Sequence, residues 1–193
     1  MVTISDKMQE VKLENIGEIF SGLSYRRYLD NEGLKYPVIV QRSIKKDGKC
    51  DDFEEIFLKK EIKKRFFSKK NDVLMKMNYP YNAVCIKEDN LVISDRIAII
   101  RVKKEYSPDF IAHLLNNFHI NKQLNDLSDN EKTSHTSLKE IKQLKLIVPD
   151  LNTQMKYAEL LNTINDKITE DLKLLEYDRN LKQAILNDLW VSK

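Results

Sequence analysis

The sequence predicts an α+β fold: a mixed α/β domain built around a curled β-sheet, followed by one long C-terminal α-helix. Three observations carry this expectation. Runs rich in β-branched residues follow one another through the middle of the chain. A serine–proline helix start, Ser107-Pro108, comes directly after them. Beyond Pro149 there is no glycine or proline, all four glycines lying at or before Gly48.

Taken in order, Val11 to Ser21 reads as a first strand ended by Gly22. Tyr36 to Gln41 is a second, with Pro37 near its start suiting an edge position. Ile44 to Asp52 is a polar loop around Asp47-Gly48, and Ile56 to Phe67 reads as helical or irregular. Asp72 to Met77, Ala83 to Lys87 and Leu91 to Val102 are three consecutive strands, separated by Tyr79-Pro80-Tyr81-Asn82 and Lys87-Glu88-Asp89-Asn90. Ser107 is the N-cap and Pro108 the first residue of a helix whose apolar face is Phe110, Leu114, Leu115 and Phe118. Gln123 to Ser137 is expected to be a polar loop, Leu138 to Gln143 a short helix, and Leu144 to Val148 a strand closed by Pro149.

Asn152 to about Trp190 then forms a helix roughly 58 Å long, its first amides capped by Asn152 or Asp150. Leu161, Ile164, Ile168, Leu172 and Leu175 recur at helical spacing. The pattern breaks at Tyr177-Asp178-Arg179-Asn180 and resumes with Leu181, Ile185 and Leu189. The break is either a turn between two helices or the polar middle of one rod. Such a stripe needs cover, because isolated helices gain most of their stability from packing; a partner helix is the first expectation, given the length, and a helix folded back on its own domain the alternative. The expected division is a globular part over 1–150 and a helical part over 151–193.

At 193 residues, 41% hydrophobic and 33% charged, the chain can hold one core with an appendage. No apolar run approaches the roughly 18 residues of a membrane span, and MVTISDKMQE lacks the regions of a signal peptide. Two cysteines without metal-ligand spacing fit a reducing, cytoplasmic setting. Net charge is only +3, but it is unevenly spread. Eight basic residues stand against two acidic ones between Lys59 and Lys76, Lys60 among them. From Asp150 onward acidic residues outnumber basic ones eight to six. A basic globular part and a mildly acidic helix suggest two different partners.

No catalytic constellation emerges. The helix bearing His113 and His119 spaces them six apart, wrong for one metal on one face, and the third histidine is His135. There is no GxGxxG, P-loop or HExxH. Asn78-Tyr79-Pro80-Tyr81 has a single proline and is not an amino-methyltransferase motif. What remains is recognition chemistry in four clusters. These are Gly22-Leu23-Ser24-Tyr25-Arg26-Arg27-Tyr28, Gln41-Arg42-Ser43, Lys76-Met77-Asn78-Tyr79-Pro80-Tyr81-Asn82 and Thr133-Ser134-His135-Thr136. Arginine reads guanine, and asparagine or glutamine reads adenine, through paired hydrogen bonds. Lysines and hydroxyls hold phosphates. The candidate nucleic-acid-binding residues are Tyr25, Arg26, Arg27, Gln41, Arg42, Ser43, Asn78, Tyr79, Asn82 and His135, with Lys45, Lys69, Lys70 and Lys76 for phosphate.

The order of features resembles one half of a type I restriction–modification specificity subunit, a target recognition domain followed by its helical spacer. Leu13 to Phe20 with Ser21-Gly22 resembles the family's opening strand and turn. Asn71-Asp72-Val73-Leu74 resembles its Gly-Asp-hydrophobic-Leu segment, with asparagine in place of glycine. Val92 to Val102 followed by Ser107-Pro108-Asp109-Phe110-Ile111 resembles its strand and Pro-x-Phe-Leu helix. Thr136-Ser137-Leu138, Leu144 to Pro149, Leu151 and Gln154 resemble the join before the spacer, where Pro149-Asp150-Leu151-Asn152-Thr153-Gln154 departs from Pro-Pro-Leu-x-Glu-Gln by its second proline and its glutamate.

The resemblance implies a non-catalytic chain that reads double-stranded DNA and docks methyltransferase and, through the complex, restriction subunits. S-adenosylmethionine, ATP and magnesium would belong to those partners, with no cofactor on this chain. The single domain and its apolar stripe suggest a homodimer of half-size subunits reading a bipartite palindrome. The alternative expectation is a regulatory half-subunit that docks on the methyltransferase without reading DNA.

Overall fold

The computed structural model describes residues 8–46, 48–59, 62–127 and 135–191. The chain divides into two compact units, Met1–Ala158 and Glu159–Lys193. The expected α+β class, with a long C-terminal helix, is what is found. The strands are shared among three small sheets rather than one.

The central sheet of the first unit has the order β2 (Gly17–Ser21), β8 (Ile97–Val102), β5 (Val73–Lys76), β6 (Ala83–Cys85), with every pairing antiparallel. Successive side chains on a strand point to opposite faces. Val73, Met75, Ala98 and Ile100 accordingly enter one core, and Leu74, Ile97 and Ile99 another. Burial on both faces explains why these segments read as unbroken apolar runs instead of alternating ones. The first core is completed by α2 (Pro108–Leu115), α3 (Phe118–Leu127), α4 (Leu138–Gln143) and the two-stranded sheet of β1 (Gln9–Lys12) with β9 (Lys145–Val148). A third sheet, of order β4 (Glu54–Leu58), β3 (Leu29–Ile39), β7 (Val92–Ile93), carries a smaller cluster of its own.

Five expectations need correction. The opening segment is not one strand. It is β1, a helical turn α1 (Leu13–Ile16), and β2, because Leu13 and Ile16, three apart, are both fully buried. Gly17 is required where the chain leaves that turn, since a Cβ there would overlap the Arg101 carbonyl. Glu54 to Leu58 is a strand, with a short 3-10 turn at Lys64–Phe66. β3 is the middle strand of its sheet, and Pro37 is tolerated because pairing with β7 begins only at Val38. The run Leu91 to Val102 is two strands, β7 and β8, split at Ser94-Asp95-Arg96. Finally, α2 ends at Leu115, so Phe118 and His119 belong to α3, which also takes in Gln123 to Leu127. Phe118 is 74% exposed and is no part of the buried face.

The predicted helix start holds, with the Ser107 hydroxyl accepting from the Phe110 N–H at 3.4 Å. Ser137 and Glu140 form a reciprocal capping box on α4. On the free edge of β6, the Asn116 side chain accepts from the Ala83 N–H and donates to its carbonyl, both at 2.8 Å. That amide takes the place of a further strand.

The closing helix α5 (Leu151–Val191, 41 residues) is continuous through Tyr177–Asn180, so it is one rod. Asp150 accepts from the Thr153 N–H at 3.1 Å and from its hydroxyl at 2.8 Å, making it the N-cap. Within the first unit, Ala158 is buried and Tyr157 packs near Phe110, with ring centroids 6.5 Å apart. In the second unit Ile164, Ile168, Leu172 and Leu175 are all exposed, Leu161 being half-buried. Continuity alters the stripe. At about 100° per residue, Leu161 to Leu175 fall on one narrow face, whereas Leu181, Ile185 and Leu189 lie roughly 100° further round. Leu174 joins this second face, and Leu186 and Trp190 return to the first.

Candidate nucleic-acid interface

The turn between β7 and β8 is the centre about which the predicted clusters gather. It is a β-turn over Ser94–Ile97, closed by the Ile97 N–H donating to the Ser94 carbonyl at 3.1 Å. The Gly22-to-Tyr28 segment is attached to it by Leu23, whose N–H donates to the Ile93 carbonyl at 2.6 Å and whose carbonyl accepts from the Asp95 N–H at 2.9 Å. A Cβ at Gly22 would overlap the carbonyl oxygens of Ile93 and Ser94, so only glycine permits this approach. Tyr25 to Tyr28 then form a 3-10 turn that presents Arg26 and Arg27.

Gln41 to Ser43 form a second 3-10 turn. The Gln41 side-chain amide donates to the Arg96 carbonyl at 3.4 Å. The same carbonyl accepts from the Met77 N–H at 3.0 Å, bringing in the loop between β5 and β6. From there the Thr136 N–H donates to the Met77 carbonyl at 2.7 Å, and His135 Nδ1 lies 2.9 Å from Asn78 Oδ1. One chain of hydrogen bonds thus joins residues from all four clusters. Thr133 and Ser134 lie outside the described residues, as do Asp47 and Lys60.

Arg26, Gln41, Arg42, Glu54, Asp95 and Arg96 share a cleft of about 390 Å³. Its arginines are not alike. Arg42 is held by Asp52 at 3.3 Å and Glu54 at 3.0 Å, and Lys45 by Asp51 at 3.2 Å. Among the described residues, Arg26, Arg27 and Arg96 make no side-chain hydrogen bond or ion pair. Ser43 is fully buried, its hydroxyl accepting from the Val40 N–H and donating to the Asp52 carbonyl, and so it supports the loop from beneath. Tyr25 donates to Glu54 at 3.3 Å. Tyr79 is 67% exposed and meets Tyr81 edge-on. Asn82 closes its loop through its carbonyl, which accepts from the Lys76 N–H at 2.9 Å. Lys76 has its pKa lowered by burial.

Lys69 and Lys70 stand apart. They precede β5, whereas the loop beside Arg96 follows it, which puts them at the other end of that strand. Arg96 and Asp95 were missed by sequence reasoning. The signal was present: three polar residues, Ser94-Asp95-Arg96, interrupt an otherwise apolar run.

Other reactive groups are accounted for structurally. Burial pushes the Cys50 and Cys85 thiols up to about 12, so both are protonated at neutral pH. Asp72 is pushed up by burial and drawn down by Arg101, 3.2 Å away, whose guanidinium also lies over the Phe20 ring at 5.0 Å. No group of three or more His, Cys, Asp or Glu side chains is arranged for a metal among the described residues. Among them, no helix is long and apolar enough to cross a membrane.

Residues 5–176 match the family described as "Type I restriction modification DNA specificity domain". Among solved structures, the HsdS subunit from Thermoanaerobacter tengcongensis is similar with a TM-score of 0.68 at 17% identity, over 86% of this chain and 44% of that one. The type I restriction–modification S subunit from M. genitalium gives 0.60 at 11%, over 93% and 45%. A structure described as showing complex assembly and conformational transition of the type I R-M system gives 0.62 at 15%, over 88% and 42%. The chain therefore spans less than half the length of each. No curated protein matches it.

Proposed function

The chain belongs to the type I restriction–modification DNA specificity family, and on that premise we propose that it is a sequence reader for separate methyltransferase and restriction subunits. Residues 1–150 read double-stranded DNA, and residues 151–193 are the spacer that holds partners. The observation that carries the reading is the rim joined by hydrogen bonds around Arg96. Guanidinium, amide and aromatic groups from separate segments meet there, and Arg26 and Arg96 have no acidic partner among the described residues. Adenine methylation and ATP-driven cleavage, with their S-adenosylmethionine, ATP and magnesium, belong to the partner subunits.

Two copies pair through the first apolar face of the spacer and set two half-sites at a fixed separation, which makes the target a bipartite palindrome. Support comes from the exposure of Ile164, Ile168, Leu172 and Leu175, together with the helix's continuity. Selection from a randomised duplex library by the chain together with its methyltransferase tests the reading. Enrichment of one bipartite motif is expected. Methyltransferase capture without any enriched motif would leave a regulatory half-subunit that reads no DNA. Light scattering at micromolar concentration checks the pairing, for which a monomer is the contrary result.

A further inference from the structure

Resting on that specificity reading, we propose that Arg96 is the principal guanine-reading side chain of this domain. A base-reading arginine needs an immobile backbone and an uncommitted guanidinium, and Arg96 has both. Its backbone is fixed from three directions. Its carbonyl accepts from the Met77 N–H at 3.0 Å and from the Gln41 amide at 3.4 Å, the neighbouring Asp95 N–H donates to the Leu23 carbonyl at 2.9 Å, and the Ser94 N–H donates to the Ile39 carbonyl at 3.0 Å. The turn follows fully buried Ile93 and ends on fully buried Ile97, so it is rooted in the core.

The side chain is exposed and forms no ion pair among the described residues. Arg42, in the same cleft, is the contrast: two carboxylates hold it, and reading a base would mean giving them up. The planar fork of an arginine matches guanine O6 and N7 in the major groove, and a fixed support limits the ordering cost on binding. Arg42 acts as a brace between the Gln41 turn and β4. Arg26, on the adjoining 3-10 turn, flanks the reader.

The test maps methylated motifs in cells carrying the full chain with its methyltransferase, comparing wild type, Arg96→Lys, Arg96→Ala and, as a control outside the cleft, Lys145→Ala. In both Arg96 variants, discrimination at one guanine position is expected to fall about 5- to 150-fold, with the rest of the motif kept. Lys145→Ala is expected to retain the wild-type motif. An unchanged motif in both Arg96 variants overturns the assignment. So does rescue by lysine of a uniform loss seen with alanine, which marks a phosphate contact. A fall of several degrees in melting temperature for both Arg96 variants also overturns it, by marking a structural role. No motif from wild type overturns the specificity reading itself, and the assignment with it.

Discussion

At the scale of single residues, the departures from the family's usual motifs have physical explanations. Asn71 stands where glycine is usual and has φ of 71°, in the left-handed region that asparagine tolerates better than other side chains. Asn71→Ala should cost about 1–2 kcal/mol in urea unfolding, while Asn71→Gly should be close to neutral. Gln154 is almost wholly buried, accepting from the Ser107 N–H at 3.0 Å and donating to the Pro149 carbonyl at 2.8 Å. It ties the start of α5 to the start of α2. Gln154→Leu leaves two buried backbone groups unpaired and should cost roughly 2–4 kcal/mol in the same assay.

Asp150, which replaces the family's second proline, is held below the usual carboxylate range by the Thr153 hydroxyl and then by the Thr153 N–H. A pKa lowered by folding contributes stability that is present above the unfolded value, near 3.9, and is lost as pH falls through the folded value. Melting curves should therefore show a difference between wild type and Asp150→Asn at pH 6 that shrinks below about pH 4. The motif residues were legible in sequence, but their partners were not. Nothing in the local pattern says that Gln154 meets Ser107.

At the scale of elements, what could be read depended on burial. Segments that are buried on both faces, such as β5 and β6, were found from their apolar runs alone. The split between β7 and β8 was hidden because both halves are apolar, and only three polar residues mark the turn. β4 was missed because its adjacent Glu54-Glu55 pair and partly exposed side chains suit an edge strand as well as an irregular segment. The helix was legible in length, but its faces were not, since a break at Tyr177 would have reset the register. A continuous α5 separates Ile168 from Ile185 by roughly 100° around the axis. Under the proposed pairing, Ile168→Asp should weaken self-association at least tenfold in analytical ultracentrifugation, by placing a charge in the seam. Ile185→Asp, on the other face, should change it little.

At the scale of the whole molecule, the four recognition clusters span more than 100 residues of sequence, and sequence alone could not show that they meet. Their meeting point is the Arg96 carbonyl, which takes hydrogen bonds from two of them. Such a rim suits base reading, because the Gln41 amide and the Arg96 guanidinium converge on one fixed turn, whereas Arg42 and Lys45 are paired with carboxylates. Lys69 and Lys70, at the far end of β5, suit a backbone contact removed from the bases. Replacing both should reduce binding to all sequences alike and make the salt dependence shallower by about two. A chain that chooses which DNA sequence its partners methylate, as proposed, leaves its mark on the host genome. The most direct measurement is the methylation pattern of the host genome with and without the gene. Loss of one bipartite motif is expected, and an unchanged set of methylated motifs would rule out a sequence-reading role for this chain.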